Sequence, residues 1–159
     1  EPTSRDVAAL IGQPETRAQK ERLFRCATWF LWNQAPVSQV HLLVLRHVVD
    51  CGLASWHPPG GNTLLEEACI TASTNSVRVL LDPRFTKYTV SQQERALRYA
   101  AIANNTSKVE LLLQHGFSRS ALATLPNVCV CRIRTEVLLV AASYGCELSP
   151  FSRKLLDAG

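Results

Sequence analysis

A pattern of small and branched apolar residues recurs in this sequence at a constant step of 32 residues. Ala68 and Ala100 are one step apart, and the pairs Leu80-Leu81 and Leu112-Leu113 are separated by the same step. One further step toward the N terminus reaches Val48, which also begins a run of two apolar residues, two others and a glycine. A repeat of this length indicates stacked copies of one small unit, because a single copy cannot bury its own apolar face.

Each unit has the pattern of two short helices joined by a tight turn. The small alanines allow the first helix to lie close to its neighbours, and the paired branched residues of the second helix fill the layer between units. Gly52, Gly116 and Gly159 follow the second helices, where a left-handed helix end disfavours any side chain. The pattern therefore predicts an all-α chain whose core is supplied by stacking.

Two consecutive units carry a motif that resembles the repeat of the ankyrin family, which runs Gly-x-Thr-Pro-Leu-His-x-Ala-Ala, then Gly, then Leu-Leu-x-x-Gly-Ala. The matching residues are Gly61, Thr63, Leu65 and Ala68 in one unit, and Leu97, Ala100, Ala101, Val109, Leu112, Leu113 and Gly116 in the next. At the Pro and His positions the first unit has Leu64 and Glu66, and the second has Ala96 and Arg98. The resemblance implies an ankyrin-repeat-like helical solenoid with irregular loops. A HEAT-like repeat or a plain helical bundle explains the apolar periodicity equally well, but it does not explain the constant step.

The resemblance covers residues 40–159, and we expect the repeats to continue beyond them. Residues 1–39 are predicted to form an N-terminal helical cap or a degenerate repeat, with a helix over residues 23–29. Residues 137–142 align as the first helix of a third unit. Residues 117–135 exceed the period, and the alternating pattern in 127–134 predicts either a short extended arm or a self-packed surface loop.

Composition and charge indicate a water-soluble domain. The 159 residues are 47% hydrophobic and 19% charged, and the formal net charge of +4 comes from basic residues interleaved with acidic ones. This scatter argues against nucleic acid, and no apolar run approaches the ~20 residues that a membrane span needs. The six cysteines have mostly apolar neighbours, which predicts free thiols in a reducing intracellular compartment, including a host cytoplasm reached by a secreted effector.

No catalytic, cofactor or metal site is predicted, so we expect that this chain is not itself an enzyme. His41 and His47 are six residues apart, which places them on different faces of a helix, and we find no cysteine or carboxylate at ligand spacing from either. The close pair Cys129 and Cys131 lacks the wider gap of a zinc knuckle. Gly60-Gly61 is not followed by the Lys-Ser or Lys-Thr of a phosphate loop, and we interpret it as a turn between units.

The resemblance implies a protein-binding module, since ankyrin-like repeats bind partners through their first helices and projecting turns. An alternative is the substrate-recruiting domain of a larger enzyme, such as a secreted bacterial effector that acts on host proteins. Trp56 is either tucked under its turn or offered to a partner, and Phe85 and Tyr88 have a competing role in local packing. The predicted partner-binding residues are Trp56, Glu67, Ile70, Arg84, Phe85, Lys87, Tyr88, Tyr99, Ile102, Val140 and Tyr144.

Overall fold

The chain is all-α wherever it can be described. A computed structural model describes residue 12 and residues 14–32, 39–71, 74–82 and 87–158. The helices in these ranges are Arg17–Trp32 (α1), Gln39–Asp50 (α2), Leu64–Thr71 (α3), Thr74–Leu80 (α4), Val90–Ile102 (α5), Thr106–Gln114 (α6), Asn127–Val130 (α7), Thr135–Ser143 (α8) and Pro150–Ala158 (α9). Within them, no helix is both long and apolar enough to cross a membrane.

The chain divides into two compact units, Glu1–Lys87 and Tyr88–Gly159, and each of these is larger than one 32-residue repeat of the sequence. The sequence-based division into residues 1–39 and 40–159 stays a prediction. The helix predicted over residues 23–29 is confirmed as part of α1.

The first unit is built from two helix pairs. Helices α1 and α2 pack together, as do α3 and α4, and the pairs meet through contacts of α1 with α3 and of α2 with α4. The repeated apolar positions Val48, Leu65, Ala68 and Leu80 have no solvent exposure. An ion pair of 3.2 Å between Arg46 and Asp82 also ties α2 to the end of α4. Stacking of one pair on the other thus supplies the core of this unit.

The second unit also contains packed helix pairs, but it includes the single-turn helix α7 and is less regular than the first unit. Helix α5 packs on α6, α6 packs on α8, and α9 contacts both α7 and α8. Thr89 caps α5 through a full capping box with Gln92, and the side chain of Asn105 accepts a hydrogen bond from the backbone of Lys108 at the start of α6. These caps satisfy backbone donors that the first turn of a helix leaves without partners.

Residues 137–142 lie in α8, whose packing differs from that expected of a first helix. The sequence pattern aligned them with the first helices α3 and α5, but α8 packs against α6, as α2 packs against α4. Its end does not separate the two alternatives, because the first helix α5 ends in the same way: Asn104 has a φ of +57°, and the Asn105 amide donates to the Ala100 carbonyl. Gly145 has a φ of +78°, like Gly52 at +73° and Gly116 at +77°, and the residue after each glycine donates to the carbonyl five positions before itself. Gly159 lies outside the described residues.

Residues 127–134 do not form an extended arm. Pro126, with ψ of 146°, precedes the single helical turn of α7, where the Val130 amide donates to the Pro126 carbonyl at 3.1 Å. Val130 and Ile133 are buried while Cys131 and Arg132 are exposed, so the buried residues are three apart rather than two. This spacing belongs to a helical turn, and the alternating pattern was therefore misleading here.

Candidate protein-binding groove

An apolar groove of about 620 Å³ lies in the first unit, between α1, the loop that follows α2, and the start of α3. Its volume falls within the range of about 300 to 1,000 Å³ that is typical of ligand sites. We call it the tryptophan groove and define it by Phe24, Trp29, Trp56, Pro58, Pro59 and Glu67. Two of these, Trp56 and Glu67, were predicted as partner-binding residues from the sequence.

Two tryptophans and a phenylalanine give the groove its aromatic walls. The rings of Phe24 and Trp56 meet edge to face, with centroids 5.0 Å apart. Phe24 is buried in the core and Trp56 is half-buried above it, so Trp56 is both packed and partly accessible. Trp29 is 59% exposed. A large aromatic surface left in contact with water is typical of an interaction site.

The turn of residues 58–61 forms the opposite wall and depends on its glycines. The Gly61 amide donates to the Pro58 carbonyl at 2.9 Å, and Gly60 has a φ of +71°. A Cβ at Gly61 would lie within 2.5 Å of the Pro58 ring, so a side chain there would displace the wall. The turn predicted at Gly60-Gly61 is confirmed, and Pro58 and Pro59 of this turn line the groove.

Glu67 places a fixed carboxylate at the groove. The indole Nε1–H of Trp32 donates to its Oε2 at 2.9 Å, and the side-chain amide of Asn62 donates to its Oε1 at 3.3 Å. Both donors are neutral, so they orient the carboxylate and leave its negative charge uncompensated by them. Glu66 and Glu67 lie in the first turn of α3, where the helix dipole stabilises carboxylates.

Neither Ile70 nor Lys87 is part of the groove lining. Ile70 is half-buried on α3, and Lys87 is exposed. Arg84 and Phe85 fall outside the described residues. Of the partner-binding residues predicted from the sequence, the groove therefore contains Trp56 and Glu67.

The residues predicted in the second unit do not form one comparable site. Tyr88 packs edge-on against Phe117 with centroids 6.1 Å apart, which is the competing local role. Tyr99 and Ile102 are half-buried on α5. Val140 lies in α8 and Tyr144 directly follows it, and α8 packs against the second helix α6. Their predicted place on a first helix stays a prediction. The Tyr144 hydroxyl donates to the Glu110 carboxylate at 3.2 Å.

Sequence reasoning missed α1 as part of the site. Phe24 and Trp29 lie in the region that was interpreted only as a cap or a degenerate repeat. A signal was present, because all three tryptophans of the chain fall between residues 29 and 56. Trp29 and Trp56 line the groove, and Trp32 holds Glu67.

His47 and Cys51 make a contact that the sequence reading overlooked. They are four residues apart, one turn of α2, and the Cys51 sulfur lies 3.7 Å from His47 Nε2 and 3.8 Å from Nδ1. A sulfur nearly equidistant from both ring nitrogens is not aligned with either of them. Burial, followed by the nearby Asp50 carboxylate, raises the pKa of the Cys51 thiol. Because the thiolate is the reactive form, the pair does not have the character of an activated nucleophile.

Across the described ranges, no three His, Cys, Asp or Glu side chains cluster so as to hold a metal ion. Comparisons with protein-family models, curated proteins and solved structures gave no match to this chain.

Proposed function

We propose that this chain is a protein-binding module, built as an ankyrin-like stack of helix pairs, and that its partner docks on the tryptophan groove. The observation that carries the proposal is the exposed indole of Trp29 beside Trp56 and the two prolines. Aromatic side chains often dominate the energy of protein interfaces, and grooves lined by them accept extended polypeptide segments.

The packing of the first unit supports the repeat architecture in this proposal. The contacts of α1 with α3 and of α2 with α4 are those expected when helix pairs stack in register. The groove lies at the junction of α1 and α3 and does not interrupt this packing. A stacked core therefore leaves its edges available for a partner.

The experiment is a comparison of partner capture by matched variants of the full chain. In Trp29→Ala, the exposed indole is removed with little loss of core packing, and capture of any reproducible partner should fall by about tenfold or more, as for an interface hot spot. Leu139→Ala is the control, since Leu139 is 55% exposed on α8 in the other unit. Equal capture by Trp29→Ala and the unmodified chain would contradict the proposal.

A further inference from the structure

We infer that the tryptophan groove recognises a positively charged side chain, such as an arginine, presented by an extended segment of the partner. The inference rests on the proposed function and adds the chemical group of the partner that the groove binds. It combines two observations in the first unit: the aromatic walls and the fixed carboxylate of Glu67.

The walls suit a cation with a flat or aliphatic body. Indole faces attract cations through their ring quadrupole, and tryptophan does so most strongly. An arginine has an aliphatic stem that packs on rings such as those of Pro58 and Pro59, and a weakly hydrated guanidinium that stacks on aromatic side chains. A purely apolar side chain would use the walls but would gain nothing from the carboxylate.

Glu67 is oriented before any ligand arrives. Each of its two oxygens already accepts one hydrogen bond, from Trp32 or from Asn62, so the carboxylate needs no reorganisation to accept another from a guanidinium. Because both donors are neutral, a cation in the groove would be the charge partner of this carboxylate. A charge-assisted hydrogen bond is stronger than one between neutral groups.

Apart from Glu67, the groove is lined by two charged residues of opposite sign. Glu21 and Arg25 line it on α1, so the lining holds two carboxylates and one guanidinium. Glu21 is paired with Arg17 at 3.1 Å, which leaves Glu67 as the main attractive charge. Arg25 is exposed and repels a cationic ligand. Its removal should therefore strengthen binding.

The test uses the peptide acetyl-Ser-Gly-Arg-Gly-Ser-amide and the same peptide with citrulline, the neutral isostere of arginine. The three tryptophan indole N–H signals in a nitrogen–proton correlation spectrum report on this site, because every tryptophan of the chain lines the groove or bonds to Glu67. We expect the arginine peptide to shift these signals and to bind at least about tenfold more tightly than the citrulline peptide. Raising the salt concentration should narrow that difference.

Two variants assign the effect to charge. Glu67→Gln should bind the arginine and citrulline peptides about equally, whereas Glu136→Gln, which removes an exposed carboxylate from α8, should keep the preference. Should Glu67→Gln fail to fold, as seen from lost dispersion of its amide signals, Arg25→Gln carries the test instead. That variant should bind the arginine peptide about two- to threefold more tightly.

Equal binding of both peptides by the unmodified chain overturns the inference, as does the absence of any indole shift with either peptide. Neither result affects the proposed function if Trp29→Ala still loses its captured partner. Conversely, undiminished capture by Trp29→Ala contradicts the proposed function whatever the peptides do. The two claims can therefore fail separately.

Discussion

Asn104 holds the irregular part of the second unit in place, and its removal should destabilise that unit. It follows α5 with a φ of +57°, the only non-glycine residue with positive φ among the described residues. Its side-chain amide donates to the Arg132 carbonyl at 2.8 Å, and its side-chain oxygen accepts from the Arg134 amide at 2.6 Å. One side chain thus joins the end of α5 to the turn that leads into α8.

The magnitude follows from these two features. A hydrogen bond contributes roughly 0.5 to 1.5 kcal/mol to stability. Because both bonds of Asn104 are exposed, each should contribute a value in the lower half of this range, and the loss of both should cost about 1 to 2 kcal/mol. Asn104→Gly loses both bonds but accepts positive φ readily. Asn104→Ala loses both bonds and adds about 1 kcal/mol for the left-handed backbone. We therefore expect losses of about 1 to 2 kcal/mol for Asn104→Gly and about 2 to 3 kcal/mol for Asn104→Ala.

Urea unfolding followed by circular dichroism at 222 nm measures these losses, with Asn127→Ala as the control. Asn127 is an exposed asparagine in the same unit, and its replacement should change stability by less than about 0.5 kcal/mol. Hydrogen exchange of the Arg134 amide should accelerate in both Asn104 variants. If Asn104→Gly is as stable as the unmodified chain, the two side-chain bonds do not stabilise the fold. If it is as unstable as Asn104→Ala, the positive φ carries no cost.

Two further perturbations test the packing of each unit. Burial lowers the pKa of His41 below its ordinary value of 6.5. Just below pH 6.5 the unfolded chain therefore binds more protons than the folded chain. The free energy of unfolding should fall as the pH drops through that value. The midpoint of urea unfolding, followed by tryptophan fluorescence, should be lower at pH 5.5 than at pH 7.5. This difference should be smaller in His41→Leu. If it is equally large in the variant, groups other than His41 cause it. In α8, Leu138 is 1% exposed and Leu139 is 55% exposed. Urea unfolding should therefore show a loss of about 2 to 5 kcal/mol for Leu138→Ala and less than about 0.5 kcal/mol for Leu139→Ala, whereas similar losses would contradict the face assigned to α8.

The sequence predicted those parts of the fold that depend on local chemistry. The all-α class and the left-handed ends at Gly52 and Gly116 follow from spacing and from the backbone freedom of glycine. The register of residues 137–142 could not be settled in this way. Their Leu and Ala pattern fits a first or a second helix, and the left-handed ends of α5 and α8 are alike, so only the packing of α8 on α6 favours a second helix.

The site was predicted only in part, for a different physical reason. A repeat period identifies the residues that face the core, but it does not say which exposed faces meet. Trp32 and Glu67 are 35 residues apart, and the hydrogen bond between them depends on α1 lying against α3. Because α1 lacked a clear copy of the repeat motif, no periodic argument placed Trp29 beside Trp56.

The arrangement of unit one separates the positions that build the stack from those that form the groove. Leu65 and Ala68 of α3 are fully buried, whereas Glu67, between them, reaches the groove. A substitution at Glu67 should therefore change the groove while the repeated positions keep the helix pairs together. The same reasoning explains why the groove residues carry so little of the repeat signature. Apart from Phe24, they are at least partly exposed, and stacking constrains exposed positions little.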